Sequence, residues 1–246
     1  MIEATGFVTA GGRSTRMGQD KALLEIGNRA MIEYVIEALQ PVTSNIAIIA
    51  NSNEYKRFGF PVFADINSGV GPLEAIRTAL ANSSTPFVVL AGCDMPFVTS
   101  ELFSHLLNIA YEPEAKNSDS NLLSSETGLQ TLNAWHRTPD FPLAVVPLNE
   151  QGKPEPLCAV YSTKALQTVT DLISGGIRKV SLLFEQIPSR LVNFEEIKYL
   201  QNSDFFFKNI NTPQDFEQAV KNFTQKFQAI EPNSGKETTL DNDSEL

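Results

Sequence analysis

Residues 6–22 read GFVTAGGRSTRMGQDKA, a short apolar run that passes directly into a loop rich in glycine and cations. The run Gly6–Ala10 has the length and character of a strand that is buried on both faces of a parallel sheet. Gly11 and Gly12 then allow a tight turn and bring backbone N–H groups close to a ligand. We therefore predict a buried strand followed by a ligand-binding loop at the carboxyl edge of an α/β sheet.

The loop concentrates positive charge in an acidic protein. Arg13, Arg16 and Lys21 place three cations within nine residues, although the whole chain of 246 residues carries a formal net charge of −10. Unpaired cations at this spacing repel one another, and a polyphosphate would relieve the repulsion. The loop therefore predicts a polyphosphate site. The alternative is a solvated turn whose basic residues are incidental.

Two well-known nucleotide loops do not fit this sequence. A Walker loop needs Gly-Lys-Ser/Thr at the start of a helix, whereas here two residues separate Gly18 from Lys21, and Ala22 follows the lysine. A dinucleotide fingerprint needs G-x-G-x-x-G, a spacing that glycines at 11, 12 and 18 do not provide. The loop therefore belongs to a different class of phosphate site.

Alternation of strand-like and helix-like patterns predicts the fold class. Further short apolar runs, typical of buried strands, lie at Ile46–Ala50, Phe87–Ala91 and Leu143–Pro147. Apolar residues at helical spacing fall between them, at Ala30–Leu39, Leu73–Leu80 and Leu102–Ala110. We therefore predict an α/β fold, a doubly wound and mostly parallel sheet that binds its ligand at the carboxyl ends of the strands.

The C-terminal part continues this pattern. It is predicted to form a strand, a helix and another strand, at Leu157–Tyr161, Lys164–Ile173 and Phe205–Asn209. Thr212 then has the character of a helix cap, because Pro213 occupies the first helical position and Asp215 follows three residues after the cap. We expect this last helix to run to about Phe227.

The chain is predicted to form one domain over residues 1–228. Within it, Glu112–Pro142 is rich in Ser, Asn, Pro and acidic residues, which is typical of a long loop or surface insertion. Residues 229–246 form an acidic tail without aromatic residues and are predicted to be disordered.

Composition excludes several classes of protein. A net charge of −10 disfavours broad nucleic-acid binding, because an acidic surface repels a phosphate backbone. No apolar run reaches the roughly 18 residues of a membrane span, and no signal peptide is recognised. The two cysteines, Cys93 and Cys158, are expected to be reduced thiols in or near the core. We therefore expect a cytoplasmic protein.

Acidic residues at strand ends are candidate ligand contacts. Asp94 follows the strand Phe87–Ala91, and Asp65 ends a predicted strand at Pro61–Ala64. Mg²⁺ needs only one or two carboxylates besides phosphate oxygens, so Asp94 is a candidate metal ligand, with a turn or capping role as the alternative. For Asp65 the alternative is an ordinary acidic residue at the end of a strand.

Polar residues later in the chain are weaker candidates. Asn209 and Asn211 face the same way if their segment is extended, and capping of the next helix is the alternative role for Asn211. Asn51, at the end of the second strand, fits a turn role and a ligand role equally well. Glu155 is a candidate ligand contact, with an exposed turn position as the alternative. The two histidines, His105 and His136, lie outside every motif.

Several motifs together resemble one enzyme family. From Thr9 to Leu23 the loop resembles the pattern (L/T)AGGxSxRMGxDKAL of nucleotidyltransferases related to molybdenum cofactor guanylyltransferase, the MobA type. Four later segments are similar to motifs of that family and occur in the same order, namely FADINSGVGPLEAI (63–76), LAGCDMPFV (90–98), GKPEPLCAVY (152–161) and FKNINTPQDF (207–216). The resemblance covers residues 4–225, and the segment 112–142 is longer than the family's usual connection.

The resemblance implies a Rossmann-like, GT-A-like nucleotidyltransferase that transfers GMP from GTP to the phosphate of molybdopterin or Mo-molybdopterin. It implies Mg²⁺ as cofactor, with Asp94 as the metal ligand, and maturation proteins of molybdoenzymes as further candidate partners. The implied nucleotide contacts are Thr9, Ala10, Gly11, Gly12, Lys21, Asp65 and Asp94. Arg16, Lys21 and Asp94 are the candidate catalytic residues, and Glu155, Asn209 and Asn211 are placed on the acceptor side.

Two other functions stay open at this level. A related cytidylyl- or sugar-phosphate nucleotidyltransferase is one, although those enzymes usually have another residue where this chain has Asp20. A non-catalytic nucleotide-binding protein on the same fold is the other, and it would be expected to have lost Lys21 or Asp94. The sequence contains no residue that visibly reads guanine, so the base preference depends on the resemblance alone.

Overall fold

A computed structural model describes residues 2–10, 20–66, 71–111 and 142–227. The loop residues Gly11, Gly12, Arg13 and Arg16, the predicted insertion and the predicted tail lie outside these ranges. The described ranges form a central sheet with helices on both faces, as an alternating β/α pattern predicts.

The main sheet has seven described strands. In spatial order they are β5 (Val62–Phe63), β4 (Asn45–Ile49), β1 (Ala4–Thr9), β6 (Phe87–Gly92), β8 (Cys158–Ser162), β7 (Ala144–Pro147) and β9 (Ser189–Val192). Strand β1 pairs in parallel with both β4 and β6, and β9 pairs in parallel with β7. Strand β8 runs antiparallel to β6 and β7. The predicted α/β class and the mostly parallel sheet are confirmed.

Two layers of helices bury the two faces of this sheet. Helices α1 (Met31–Leu39) and α3 (Ser100–Tyr111) cover one face, and α2 (Pro72–Ala81), α4 (Leu166–Ser174) and α5 (Ser181–Gln186) cover the other. In β1, Phe7 packs into the core of one face and Val8 into the core of the other, and both are fully buried. A strand covered on both sides therefore has no polar alternation, which explains the continuous apolar run.

A third, smaller hydrophobic cluster includes residues that follow the glycine-rich loop in the chain. It joins the hairpin β2 (Glu25–Ile26) and β3 (Arg29–Ala30) to the C-terminal helix α6 (Pro213–Phe227). Gly27 turns the hairpin at φ 57°, and a Cβ on it would lie 2.6 Å from the ring of Phe223. Both the backbone angle and the ring contact therefore require glycine there. This packing places the start of α6 next to the residues that follow the loop.

Most predicted elements are present, and one is wrong. Helix α6 begins as predicted, since Asp215 N donates to Thr212 Oγ1 at 3.1 Å and Thr212 N donates to Asp215 Oδ2 at 2.8 Å. The predicted strand Phe205–Asn209 is instead the end of a 3₁₀ turn (Ser203–Phe205) and irregular chain. Its phenylalanines pack into different clusters: Phe206 lies in the main core, and Phe205 contacts Phe97.

The remaining expectations concern burial. Cys93 and Cys158 are both buried free thiols, and burial raises the pKa of the Cys158 thiol. Among the described helices, none combines the length and the apolar character that crossing a bilayer requires.

Candidate active site

The strand ends that were predicted to carry the site do meet at one edge of the sheet. Ala10 N donates to Ile49 O at 2.8 Å, and Cys93 N donates to Thr9 O at 3.0 Å. These two hydrogen bonds tie the carboxyl ends of β4, β1 and β6 together. Thr9 and Ala10 therefore lie between the segment that carries Asp94 and the segment that follows β4.

The chain re-enters the described region at Asp20, which fixes the end of the phosphate loop. Asp20 Oδ1 accepts from Ala22 N at 3.1 Å and caps a 3₁₀ turn, Lys21–Leu23. Asp20 Oδ2 accepts from the Tyr55 hydroxyl at 2.5 Å. Tyr55 is fully buried, and burial, followed by the hydrogen bond to Asp20, raises its pKa. Asp20 therefore anchors the backbone beside Lys21, a role that the sequence did not reveal.

Lys21 joins three distant parts of the chain. Its Nζ lies 2.7 Å from Asp94 Oδ2 and 3.0 Å from Asn211 Oδ1. Only about a fifth of the Lys21 and Asp94 side chains is exposed, at 20% each. The structure therefore brings together three of the predicted site residues, a cation, a carboxylate and an amide, in one partly buried cluster.

Backbone contacts hold the acidic and amide partners of this cluster in place. Ile210 N donates to the backbone oxygen of Asp94 at 2.9 Å, so the segment before α6 is tied to the end of β6. Asp215 Oδ2 accepts from Asn211 N at 3.0 Å. The capping side chain of α6 is therefore Thr212, whereas the Asn211 side chain contacts Lys21 and its backbone is held by Asp215.

Gly92 makes room for the Asp94 carboxylate, which the sequence pattern did not predict. A Cβ at position 92 would lie 2.6 Å from Asp94 Oδ1 and 3.0 Å from Met95 Cε. Both distances are shorter than normal carbon contacts, so any larger residue would displace the carboxylate.

Replacing Gly92 with alanine should therefore weaken the Lys21–Asp94 contact and slow turnover about tenfold, with a loss of about 1–3 kcal/mol in the free energy of unfolding. The rate and a thermal melt would measure this. Gly175→Ala, at the end of α4, is the control for a tightly packed glycine outside the site, because a Cβ there would lie 3.3 Å from Asp171 O. A Gly92→Ala protein with the wild-type rate would show that the Asp94 carboxylate tolerates a larger residue at position 92.

Glu155 and Asn209 lie beside the Asp94 carboxylate. Glu155 Oε1 accepts from Asn149 Nδ2 at 2.8 Å. Burial raises the pKa of Glu155 and the charge of Asp94 raises it further, whereas the hydrogen bond from Asn149 and the influence of Asn209 lower it. Asn209 Oδ1 is buried and has no hydrogen-bond partner among the described residues. A group with a proton or a positive charge would satisfy this oxygen.

Asp65 and Asn51 form a second region of the edge, beyond β4. Asp65 N donates to Asn51 Oδ1 at 3.2 Å, so Asn51 holds the backbone that carries the carboxylate. Burial raises the pKa of Asp65, and the nearby charge of Glu74 adds to this. Asp65 Oδ1 is buried without a hydrogen-bond partner among the described residues. The structure therefore places Asp65 apart from the Lys21 cluster, with one oxygen free for a donor.

The residues present fit a magnesium ion only if a ligand completes its coordination. Within the described residues, no group of three or more His, Cys, Asp or Glu side chains could hold a metal ion by itself. Asp94 and the unpaired Asn209 Oδ1 are hard oxygen ligands, and Mg²⁺ commonly takes one or two protein oxygens together with phosphate oxygens and waters. The edge therefore suits a metal that arrives with a polyphosphate.

Several known proteins are similar in sequence to this chain. The family model for the MobA-like NTP transferase domain matches residues 6–187. The chain is 30% identical over 226 residues to a probable molybdenum cofactor guanylyltransferase of Carboxydothermus hydrogenoformans, which covers 92% of this chain and 100% of that protein. It is 32% identical over 215 residues to the molybdenum cofactor guanylyltransferase of Yersinia pestis (strain Pestoides F), which covers 86% and 92%.

Solved structures share the fold. Molybdopterin-guanine dinucleotide biosynthesis protein A of Archaeoglobus fulgidus superposes with a TM-score of 0.67 at 23% identity, over 90% of this chain and 99% of that chain. The 2-C-methyl-D-erythritol 4-phosphate cytidylyltransferase of Thermus thermophilus superposes with a TM-score of 0.56 at 16% identity, over 89% and 98%. At these identities the likeness establishes a nucleotidyltransferase fold.

Proposed function

Because the chain belongs to the MobA-like NTP transferase family, we propose that it transfers GMP from GTP to the phosphate of molybdopterin or Mo-molybdopterin, releasing pyrophosphate. The observation that carries this proposal is the partly buried cluster of Lys21, Asp94 and Asn211 at the carboxyl edge of the sheet. The cluster supplies a cation for phosphate and a carboxylate for a metal, in the position where α/β folds bind nucleotides.

The proposed reaction needs no general base. A phosphate monoester has its second pKa near 6, so the acceptor is largely dianionic at neutral pH. One of its oxygens attacks the α-phosphorus of GTP and forms the new P–O bond, while the bond from the α-phosphorus to the bridging oxygen breaks and pyrophosphate leaves. The barrier comes from the approach of two anions, and catalysis consists of in-line positioning and charge neutralisation.

Lys21 supplies one of those charges. Its ammonium is held near Asp94 and Asn211, and it is proposed to grip the β- and γ-phosphates and to stabilise the leaving pyrophosphate together with Arg16. Asp94 and Asn209 would hold Mg²⁺, which when bound supplies Lewis-acid polarisation of the α-phosphate. In the structure Lys21 is paired with Asp94. When the nucleotide and the metal bind, Lys21 would pair with the phosphates and Asp94 with the metal.

The acceptor is proposed to bind on the side of Glu155, Asn209 and Asn211. Asn209 precedes Ile210, whose backbone N–H donates to Asp94 O at 2.9 Å, and the charge of Asp94 raises the pKa of Glu155. An acceptor there would present its phosphate to the nucleotide from the side opposite Asp65. Asp65 and Asn51 would then contact the nucleoside of GTP.

The experiment that tests the function is pyrophosphate release with each of the four nucleoside triphosphates, with and without molybdopterin, in the presence of Mg²⁺. We expect release only when GTP and molybdopterin are both present, and no release after chelation of Mg²⁺. Turnover with CTP would favour a cytidylyltransferase, and nucleotide binding without any turnover would favour a non-catalytic binding protein.

A further inference from the structure

A buried acidic residue lies behind the proposed nucleoside region. Glu74, in the first turn of α2, has none of its side chain exposed, and Arg77 one turn later is only 14% exposed. Arg77 Nη2 lies 2.5 Å from Glu74 Oε1, and Arg77 Nε donates to Glu74 Oε2 at 3.3 Å. A glutamate in the first helical turn is usually a solvated residue at the helix surface, so its complete burial against an arginine is unusual.

This ion pair shares its surroundings with Asp65. Glu74, Arg77 and Thr78 lie on one face of α2, since residues three and four apart are neighbours on a helix. The charge of Glu74 raises the pKa of Asp65 and that of Arg77 lowers it, so both charges act on the Asp65 carboxylate. Thr78 also lowers this pKa, although its hydroxyl lacks the geometry of a hydrogen bond.

Arg77 nevertheless pairs with Glu74 and leaves one oxygen of Asp65 without a partner. Asp65 Oδ1 and Thr78 Oγ1 are both buried and make no hydrogen bond among the described residues. If Arg77, which is only 14% exposed, lost the carboxylate of Glu74, pairing with another carboxylate would be favoured, because an unpaired and mostly desolvated charge is unfavourable. Asp65 is an acidic group whose pKa the charge of Arg77 already lowers.

We propose that Glu74 is a positioning residue for nucleotide binding: it occupies Arg77 and so keeps the Asp65 carboxylate open for an N–H or O–H donor of the nucleoside. This inference rests on the proposed function, because it takes Asp65 as a nucleoside contact. Glu74 itself touches no substrate and acts through Arg77 and Asp65.

The test compares the affinity for GTP with the affinity for inorganic pyrophosphate. Glu74→Gln keeps the size of the side chain but removes its charge, so Arg77 should turn to Asp65 and GTP affinity should fall about tenfold. Under the proposed function pyrophosphate would bind through the Lys21 region and not through Asp65, so its affinity should change less than about twofold. A variant that weakens GTP and pyrophosphate equally would show a general loss of structure and overturn the proposal.

Removing Arg77, which would otherwise pair with Asp65, should restore GTP binding in the Glu74→Gln background. The double variant Glu74→Gln/Arg77→Gln carries no unpaired charge and should bind GTP within about threefold of wild type. It also keeps the test informative if Glu74→Gln alone does not fold. A folded double variant with tenfold weaker GTP binding would contradict the proposed route through Arg77.

Two further variants separate this proposal from the function itself. Adding Glu74→Gln to Asp65→Asn should cause no additional loss of GTP affinity, because the contact it protects is already gone; a fully additive loss would overturn the proposal. Glu54→Gln is the matched control, since Glu54 and Arg57 have the same spacing but are about half exposed, at 52% and 51%. Wild-type protein that does not bind GTP at all would refute the proposed function independently of Glu74.

Discussion

Asp94→Asn should lose about 10²–10³-fold in turnover while the protein stays folded. Asparagine keeps the shape of the side chain and an oxygen for Lys21 Nζ, which lies 2.7 Å from Asp94 Oδ2. It removes the negative charge that a magnesium ion needs, and the Lewis-acid contribution of such an ion is worth several kcal/mol, with each 1.36 kcal/mol equal to a factor of ten in rate. Single-turnover rates at saturating Mg²⁺ and GTP would measure the loss.

Stability should change much less than activity in this variant. The Lys21–Asp94 pair is partly exposed, so losing one charge should cost about 1 kcal/mol in the free energy of unfolding. Asp171→Asn, an exposed position on α4, is the control and should alter neither rate nor melting temperature. An Asp94→Asn enzyme that keeps its turnover at saturating Mg²⁺ would remove Asp94 from the metal site.

Lys21→Ala should weaken GTP binding or slow the chemical step by about 10- to 150-fold, which corresponds to about 1.5–3 kcal/mol. The phosphate charge would be left uncompensated in a site where the lysine side chain is 20% exposed. Lys21→Arg should rescue only part of the loss, because a planar guanidinium cannot replace a compact ammonium between Asp94 and Asn211. GTP affinity and single-turnover rate would be compared for the three proteins.

The control for Lys21 is a lysine outside the site. Lys164 is exposed beside the start of α4, and Lys164→Ala should change the free energy of unfolding by less than about 0.5 kcal/mol and leave GTP binding intact. A thermal melt would establish that each variant is folded. Wild-type GTP affinity and rate in a folded Lys21→Ala protein would show that the loop does not bind the triphosphate through this residue.

Combining the Lys21 and Asp94 substitutions in one protein tests whether the two residues act together. Lys21 and Asp94 are in contact, so their effects are not expected to add in a double variant. A double variant that loses the product of the two single effects would indicate that the residues act independently and that their ion pair is incidental to catalysis.

The sequence by itself determined the central parallel strands of the sheet and the start of the last helix. Fully buried parallel strands must be apolar on both faces, which is why β1, β4 and β6 stand out as continuous runs. The cap of α6 is equally local, because Thr212 and Asp215 lie three residues apart and satisfy each other's backbone N–H groups. Local patterns of this kind need no knowledge of the rest of the chain.

The sequence pattern failed where packing outweighed local preference. Phe205–Asn209 has the composition of a strand, yet its rings fill separate clusters, and the segment pairs with none of the described strands. Strand β9, at Ser189–Val192, was not predicted, because it is half polar and pairs along one side only among the described strands. The direction of β8 was also open, since alternation along a strand does not encode its orientation in the sheet.

At the site, too, the sequence determined some features and only the tertiary structure determined others. The sequence identified Lys21, Asp94 and Asn211 singly, as a loop cation, a strand-end carboxylate and an amide before a helix. Only the tertiary structure brought them within hydrogen-bond distance, across 73 and 190 residues of sequence. It alone also decided that Glu74 is buried, since burial depends on α2 packing against the sheet and not on any local pattern. Charges that are distant in sequence interact strongly only after folding brings them together and removes part of the water between them, and a sequence pattern does not contain this step.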